Sequence, residues 1–167
     1  FLYDGIGGWF GVEASEFVRD IMRIDAKTIN LRINCPGGDV FDARAIQTTL
    51  AQHPAEVVAH IDGLAASAAT YVMMAADRIE MAQGAFVMIH KGWSMQIGNA
   101  DDMRAVADLL DKIDRTIVAD YRAKTGLAED DLLEMMMAET WMTADESLEK
   151  GFIDTVFDPQ ERVRNLF

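Results

Sequence analysis

Strand-like and helix-like stretches alternate along the first half of the sequence, and this order constrains the fold more than any other feature. Residues 28–34 alternate strictly between apolar and polar side chains, which predicts a half-buried strand. Val40–Gln52 predicts a helix that ends before Pro54, because proline cannot continue a helix. The other elements predicted here are helices over 13–24 and 67–76 and strands over 56–62, 79–81 and 86–90. Repeated strand-then-helix order predicts an α/β fold with a mainly parallel central sheet.

The second half is dominated by one long amphipathic stretch. Apolar side chains recur every three or four residues over 99–125, which predicts a single helix that ends at Gly126. A shorter helix is predicted over Glu129–Met137, a capping box at 143–146 starts another helix, and a strand is predicted over 152–157. The long helix needs a partner surface for its apolar stripe.

Composition limits the class of protein. With 167 residues, 50% of them hydrophobic, and no linker or internal repeat, the chain is expected to form a single domain over 1–167. A net charge of -13 and the lack of a basic patch argue against nucleic acid and anionic membranes as partners. No apolar run approaches the length of a membrane span, so we expect a cytoplasmic protein. No cluster of Cys and His has metal-ligand spacing, so neither a metal nor a cofactor is predicted.

Ser67 and His90 are the best candidates for nucleophilic catalysis. A serine between a strand and a helix ordinarily caps the helix, but the alanines beside Ser67 also leave its hydroxyl accessible at the positive end of that helix. Of the three histidines, His53 adjoins a proline and His60 lies mid-strand, whereas His90 ends a strand. Carboxyl ends of neighbouring parallel strands meet in one crevice, so the hydroxyl and an activating imidazole are expected to meet there.

The turn Pro36-Gly37-Gly38 lies between the first strand and a helix. Proline and glycine are ordinary turn residues, but backbone N–H groups exposed at such a turn can also hold an oxyanion. Cys35 is a weaker nucleophile candidate, because a lone cysteine before a turn is more often a small buried apolar residue.

Four motifs occur in the order and approximate spacing of the Clp protease proteolytic subunit family. They are Ile33-Asn34-Cys35-Pro36-Gly37-Gly38, Asp62-Gly63-Leu64-Ala65-Ala66-Ser67-Ala68, Val87-Met88-Ile89-His90, and Trp141-Met142-Thr143-Ala144-Asp145-Glu146 with Gly151-Phe152-Ile153-Asp154. The sequence resembles this family over nearly its whole length. It is most similar to the phage and prophage branch, whose members serve, or are proposed to serve, in capsid (head) maturation.

The resemblance implies a crotonase-like fold of stacked ββα units and a serine endopeptidase that acts on polypeptides with a Ser-His-acid triad. Ser67 falls on the position of the nucleophile and His90 on that of the general base. Gly38 and Ala68 fall on the positions whose N–H groups form the oxyanion hole. Glu139 falls where the family usually has aspartate, and it is the expected third triad member; the nearby alternatives are Asp145 and Asp154.

The resemblance also implies a homo-oligomeric ring, commonly of seven subunits and stacked in pairs through a handle made of a strand and a long helix. Residues 96–125 match that handle, which would give the apolar stripe its partner. An ATPase unfoldase is left open as a partner, because the amino-terminal axial segment of the family finds no counterpart in this sequence.

Three other functions fit parts of the sequence. A crotonase-type enzyme acting on acyl-CoA would use the same paired backbone donors, but it needs a carboxylate base and a site for an anionic cofactor, which the net charge of -13 disfavours. A serine-lysine dyad would pair Ser67 with Lys91. The third alternative is a ring-forming scaffold without catalytic activity, and the only feature of the sequence that suggests it is glutamate at position 139.

Overall fold

The computed structural model describes residues 1–8 and 11–159. Its helices are α1 (Ala14–Met22), α2 (Val40–Gln52), α3 (Ala68–Met73), α4 (Ala100–Thr125), α5 (Glu129–Met137) and α6 (Ala144–Glu149). Its strands are β1 (Thr28–Cys35), β2 (Glu56–Ala66), β3 (Arg78–Ala82), β4 (Phe86–Ile89), β5 (Thr140–Thr143) and β6 (Thr155–Phe157).

The described strands form one six-stranded, mainly parallel sheet. β1 lies on one edge of β2, while β3 and β4 pair with successive stretches of its other edge, at 58–61 and 64–66. β6 pairs with β3 in parallel, and β5 pairs with β4 as the antiparallel member. The α/β prediction is confirmed, and the carboxyl ends of β2 and β4 lie side by side.

Local sequence signals define the helix ends. The Asp39 carboxylate accepts the N–H groups of Phe41 and Asp42 at 2.8 and 3.0 Å, which starts α2. α4 begins with a capping box at Asn99 and ends at Gly126, whose φ of 74° is the left-handed conformation that glycine adopts without strain. These boundaries agree with the sequence predictions.

The long helix α4 packs only in part against the rest of the chain. Its buried residues all lie in its carboxyl-terminal half: Asp114, Ile117, Val118 and Tyr121. Met103 and Leu109, farther toward its amino terminus, are 42% and 47% exposed. The predicted apolar stripe therefore has a partner within the single chain along half of its length.

Several elements differ from the sequence predictions. β2 continues to Ala66, beyond the predicted 56–62, and α3 (Ala68–Met73) is shorter than the predicted 67–76. The strand predicted over 152–157 is shorter and covers only β6. Phe152 and Ile153 precede it and are buried in the core, so their apolar side chains did not indicate a strand. β5 was not predicted. Residues 91–99 contain no strand, although the resemblance to the family implied one before the long helix. None of the helices in the described ranges is long and apolar enough to cross a membrane.

Candidate active site

Ser67 lies at the junction between β2 and α3 in an unusual backbone conformation. Its φ is 54° and its ψ is -127°, and it is one of two described non-glycine residues with positive φ. Such conformations are strained and concentrate at functional sites. Its own N–H continues the β2–β4 ladder by donating to the Met88 carbonyl at 2.9 Å. The nucleophile candidate is thus fixed to the strand that leads to His90.

The Ser67 hydroxyl contacts the imidazole of His90 and does not cap α3. The distance between Ser67 Oγ and His90 Nε2 is 2.6 Å, which is within hydrogen-bond reach for a nucleophile and its base. Although Ser67 occupies the N-cap position, its side chain makes no capping hydrogen bond. Both residues are half-buried at the ends of adjacent strands. The structure therefore brings together the hydroxyl and imidazole that the sequence singled out.

The turn at Gly37 and Gly38 packs directly against Ser67. A Cβ added to Gly37 would lie 2.6 Å from the Ser67 Cβ and 2.9 Å from the Ala68 nitrogen. Gly37 has a φ of 99°, which also favours glycine. Glycine at this position therefore allows a close approach between the turn and the start of α3.

Ile6 orients the peptide between Gly37 and Gly38. Its N–H donates to the Gly37 carbonyl at 2.8 Å, and its own carbonyl accepts the Asp39 N–H at 2.9 Å. The N–H and C=O of a trans peptide point in opposite directions, so the Gly38 N–H points away from Ile6. Within the described chain, neither this N–H nor that of Ala68 has an acceptor. Two unpaired donors therefore flank the serine.

These groups line one cavity of about 740 Å³. Ser67, His90, Gly38 and Ala68 form its polar side. An apolar wall of the cavity comes from α2, α4 and the segment after His90; it includes Phe41, Trp93, Val106, Leu109, Leu110 and Ile113. A cavity of this volume with a partly apolar lining is typical of ligand-binding sites.

Glu139 lies outside this hydrogen-bonded group. It is exposed, with a φ of 50°, and its Oε1 accepts the Trp141 indole N–H at 3.4 Å. Among the described residues no hydrogen bond joins it to His90. Of the alternatives, Asp154 is held by Lys124 and by the Ile79 N–H, on β3, and Asp145 is exposed on α6.

The remaining chemical candidates have other roles. Cys35 is fully buried, its Sγ accepts the Gly37 N–H at 3.4 Å, and burial raises the pKa of its thiol, so a thiolate nucleophile is disfavoured. The Lys91 ammonium lies 3.4 Å from Asp114 Oδ2 and 3.8 Å from Asp111 Oδ1. Both contacts hold the Lys91 side chain on α4, and in the described ranges no hydrogen bond joins it to Ser67, so the serine-lysine dyad is disfavoured. In the described ranges no group of three or more His, Cys, Asp or Glu side chains is placed to hold a metal ion.

Sequence reasoning missed several residues that support the site. Thr70 Oγ1 lies 2.5 Å from both the Ser67 carbonyl oxygen and the Tyr121 hydroxyl, so it links α3 to α4. Asp114 binds the Gly92 N–H. The sequence could have pointed to Asp114, because a charged residue interrupts the apolar stripe of 99–125 there. Nothing in the sequence marks the contacts of Ile6 and Thr70.

Comparison with known proteins identifies the family. The Clp protease family model matches residues 14–160. An ATP-dependent Clp protease proteolytic subunit of Deinococcus radiodurans is 31% identical over 151 residues, which cover 87% of this chain and 74% of that protein. The subunit from Bacteroides fragilis strain ATCC 25285 is 31% identical over 135 residues, covering 78% of this chain and 64% of that protein.

A solved structure shows the same fold. A ClpP1 mutant from Listeria monocytogenes superimposes with a TM-score of 0.84, covering 96% of this chain and 91% of that one at 17% identity. This likeness confirms the ClpP-like α/β fold. Together with the matching family model and the Deinococcus relative, it leads to one conclusion: the chain belongs to the Clp protease family.

Proposed function

We propose that the protein is a serine endopeptidase of the Clp type. The observation that carries the proposal is the 2.6 Å contact between Ser67 Oγ and His90 Nε2 inside the cavity. A serine hydroxyl is a weak nucleophile at neutral pH unless a base takes its proton. The unpaired N–H groups of Gly38 and Ala68 beside it supply the second requirement, an oxyanion hole.

In the proposed reaction, Ser67 Oγ attacks the carbonyl carbon of the scissile peptide while His90 Nε2 takes the hydroxyl proton. The carbonyl oxygen becomes an oxyanion that accepts hydrogen bonds from Gly38 and Ala68. The C–N bond then breaks, and His90 returns the proton to the leaving amine. Water hydrolyses the resulting acyl-enzyme by the same steps in reverse, which regenerates Ser67.

We assign the third triad position to Glu139. It lies one residue beyond the C-cap of α5, a position that most often holds glycine when φ is positive. A side chain in this conformation costs about 1 kcal/mol or more. The sequence keeps a carboxylate there despite that strain, which supports a role for the side chain. To orient His90, the carboxylate must turn from Trp141 toward the Nδ1 of the imidazole.

Glu139→Gly is expected to separate catalysis from stability. We expect kcat to fall on the order of 10²-fold, because His90 loses its orienting carboxylate. The Tm should stay the same or rise, because glycine adopts positive φ without strain. Peptide hydrolysis and thermal unfolding measure the two effects. Glu139→Gln is the matched control, expected to lose activity while it keeps the backbone strain. Full activity of Glu139→Gly would remove Glu139 from the triad.

A phosphonofluoridate probe tests the proposed function directly. The wild-type protein is expected to take one label on Ser67, located by mass spectrometry of proteolytic fragments. His90→Ala should slow labelling on the order of 10²-fold, because the base is gone. Wild-type protein that takes no label at Ser67 contradicts the proposal. Retention or turnover of acyl-CoA would instead support the crotonase-type alternative.

We further propose that the substrate is a polypeptide and that the protein forms a homo-oligomeric ring. Because the sequence motifs resemble those of the phage branch, we propose phage capsid protein as the particular substrate. The exposed half of α4 supports assembly, as do Trp93, Met95 and Ile97, which are 74%, 89% and 97% exposed just before it. A group of exposed apolar side chains of this size is typical of a surface that associates with another protein chain.

A further inference from the structure

Asp114 is a buried carboxylate that the proposed reaction does not use. It lies on α4 and is only 2% exposed, next to the apolar Ile113 and Ile117. Burying a charge is costly unless hydrogen bonds and an opposite charge compensate for it. An apolar residue at this position would simply have extended the stripe of the helix. The partners of Asp114 therefore indicate what the carboxylate does.

Asp114 holds the chain where it leaves His90. Its Oδ1 accepts the Gly92 N–H at 2.8 Å, and its Oδ2 lies 3.4 Å from the Lys91 ammonium. From the other side, the Lys91 N–H donates to the Met136 carbonyl, at the end of α5, at 3.1 Å. The two residues that follow His90 are thus tied to two different helices.

Gly92 also approaches α4 closely. A Cβ added there would lie 3.4 Å from Asp114 Oδ1 and 3.5 Å from Leu110 Cδ2. The segment after His90 therefore runs against the helix at this point and forms a wall of the cavity, which Gly92 lines.

The same helix also supports Ser67. Tyr121 lies about two helical turns after Asp114 and hence on the same face of α4. Its hydroxyl is 2.5 Å from Thr70 Oγ1, which donates to the Ser67 carbonyl at 2.5 Å. The same helix thus binds the chain after His90 directly, through Asp114, and supports the Ser67 carbonyl indirectly, through Tyr121 and Thr70.

We propose that Asp114 is a positioning residue: by accepting the Gly92 N–H, it fixes the course of the chain after His90 and so holds the imidazole against Ser67. This inference rests on the proposed serine peptidase function. The competing explanation is that Asp114 serves only to pair with Lys91. That ammonium is half-exposed and has a second carboxylate, Asp111, at 3.8 Å, so it does not depend on Asp114 alone.

Two substitutions that keep the number of side-chain heavy atoms separate the explanations. Asp114→Asn and Asp114→Leu both remove the charge, and only asparagine keeps an acceptor for the Gly92 N–H. We expect Asp114→Leu to lower kcat for a peptide on the order of tenfold or more with little change in KM, because a small displacement of a catalytic group is enough to slow a reaction. Asp114→Asn should stay within about threefold of wild type. Asp111→Asn, on the exposed side of the same lysine, is the charge control and should match wild type.

Hydrogen exchange of fragments that contain Gly92 provides a readout independent of activity. We expect faster exchange over 91–98 in Asp114→Leu and wild-type rates in Asp114→Asn. Equal kcat values for the leucine and asparagine variants, whether both normal or both reduced, would overturn the positioning role. An inactive wild-type protein would count against the proposed function alone, and the exchange rates would still decide whether Asp114 holds the segment.

Discussion

Ser67→Ala is expected to lower kcat for peptide hydrolysis by about 10⁴- to 10⁶-fold, the range seen when a serine peptidase loses its nucleophile. The substitution removes only the oxygen that lies 2.6 Å from His90 Nε2. KM should change little, because the apolar wall and the two backbone donors are untouched. The Tm should also change little, since the hydroxyl makes no helix cap. Turnover of a fluorogenic peptide and thermal unfolding provide the measurements.

Ser147→Ala is the matched control. Ser147 Oγ is buried without a hydrogen-bond partner in the described chain and lies outside the cavity, on α6. Its removal should leave kcat unchanged and should not lower the Tm, because an unpaired buried hydroxyl is unfavourable. Peptidase activity that survives in Ser67→Ala at the wild-type level would show that another group is the nucleophile.

Gly37→Ala is expected to damage both the site and the fold. The new methyl carbon would lie 2.6 Å from the Ser67 Cβ and 2.8 Å from the Ala66 carbonyl oxygen, so the turn must move away from α3. The paired donors would then no longer converge on one oxygen, and we expect kcat to fall by about 10²- to 10³-fold. The Tm should fall as well, because the backbone around Ser67 cannot yield without cost.

Gly84→Ala isolates the effect of the collision. Gly84 has a φ of 92°, close to that of Gly37, but an added Cβ there would meet nothing within 4 Å. Its substitution should cost about 1 kcal/mol of stability through backbone strain alone and leave kcat unchanged. If Gly37→Ala and Gly84→Ala have equal activity, close packing of the turn against Ser67 does not matter for catalysis.

The features that the sequence predicted well are local. The start of α2 at Val40, the capping box at 143–146 and the end of α4 at Gly126 depend on side chains within a few residues, so one sequence is sufficient to locate them. The meeting of Ser67 and His90 followed from a general property of parallel sheets, because both residues end strands that are neighbours.

The missed features depend on contacts between distant parts of the chain. Ile6 supports the Gly37 peptide through backbone groups, which any residue other than proline can offer, so no residue type marks it. Phe152 and Ile153 resemble strand residues because burial in the core and burial in a sheet select the same side chains. The positive φ of Glu139 could not be predicted either, because glycine is the residue that normally indicates such a backbone conformation.

The sharing of one edge of β2 by two strands determines where the chain tolerates insertions and deletions. β3 pairs as far as Ile61 and β4 pairs from Leu64, so only residues 62–63 separate the two registers. Losing or gaining one residue there would turn every later side chain of β2 to the opposite face and carry Ser67 out of line with His90. The turn at Gly84 has open space around it and can change in length without moving Ser67 or His90. Natural length variation among relatives of this protein should therefore avoid the middle of β2 and collect in open turns such as the one at Gly84.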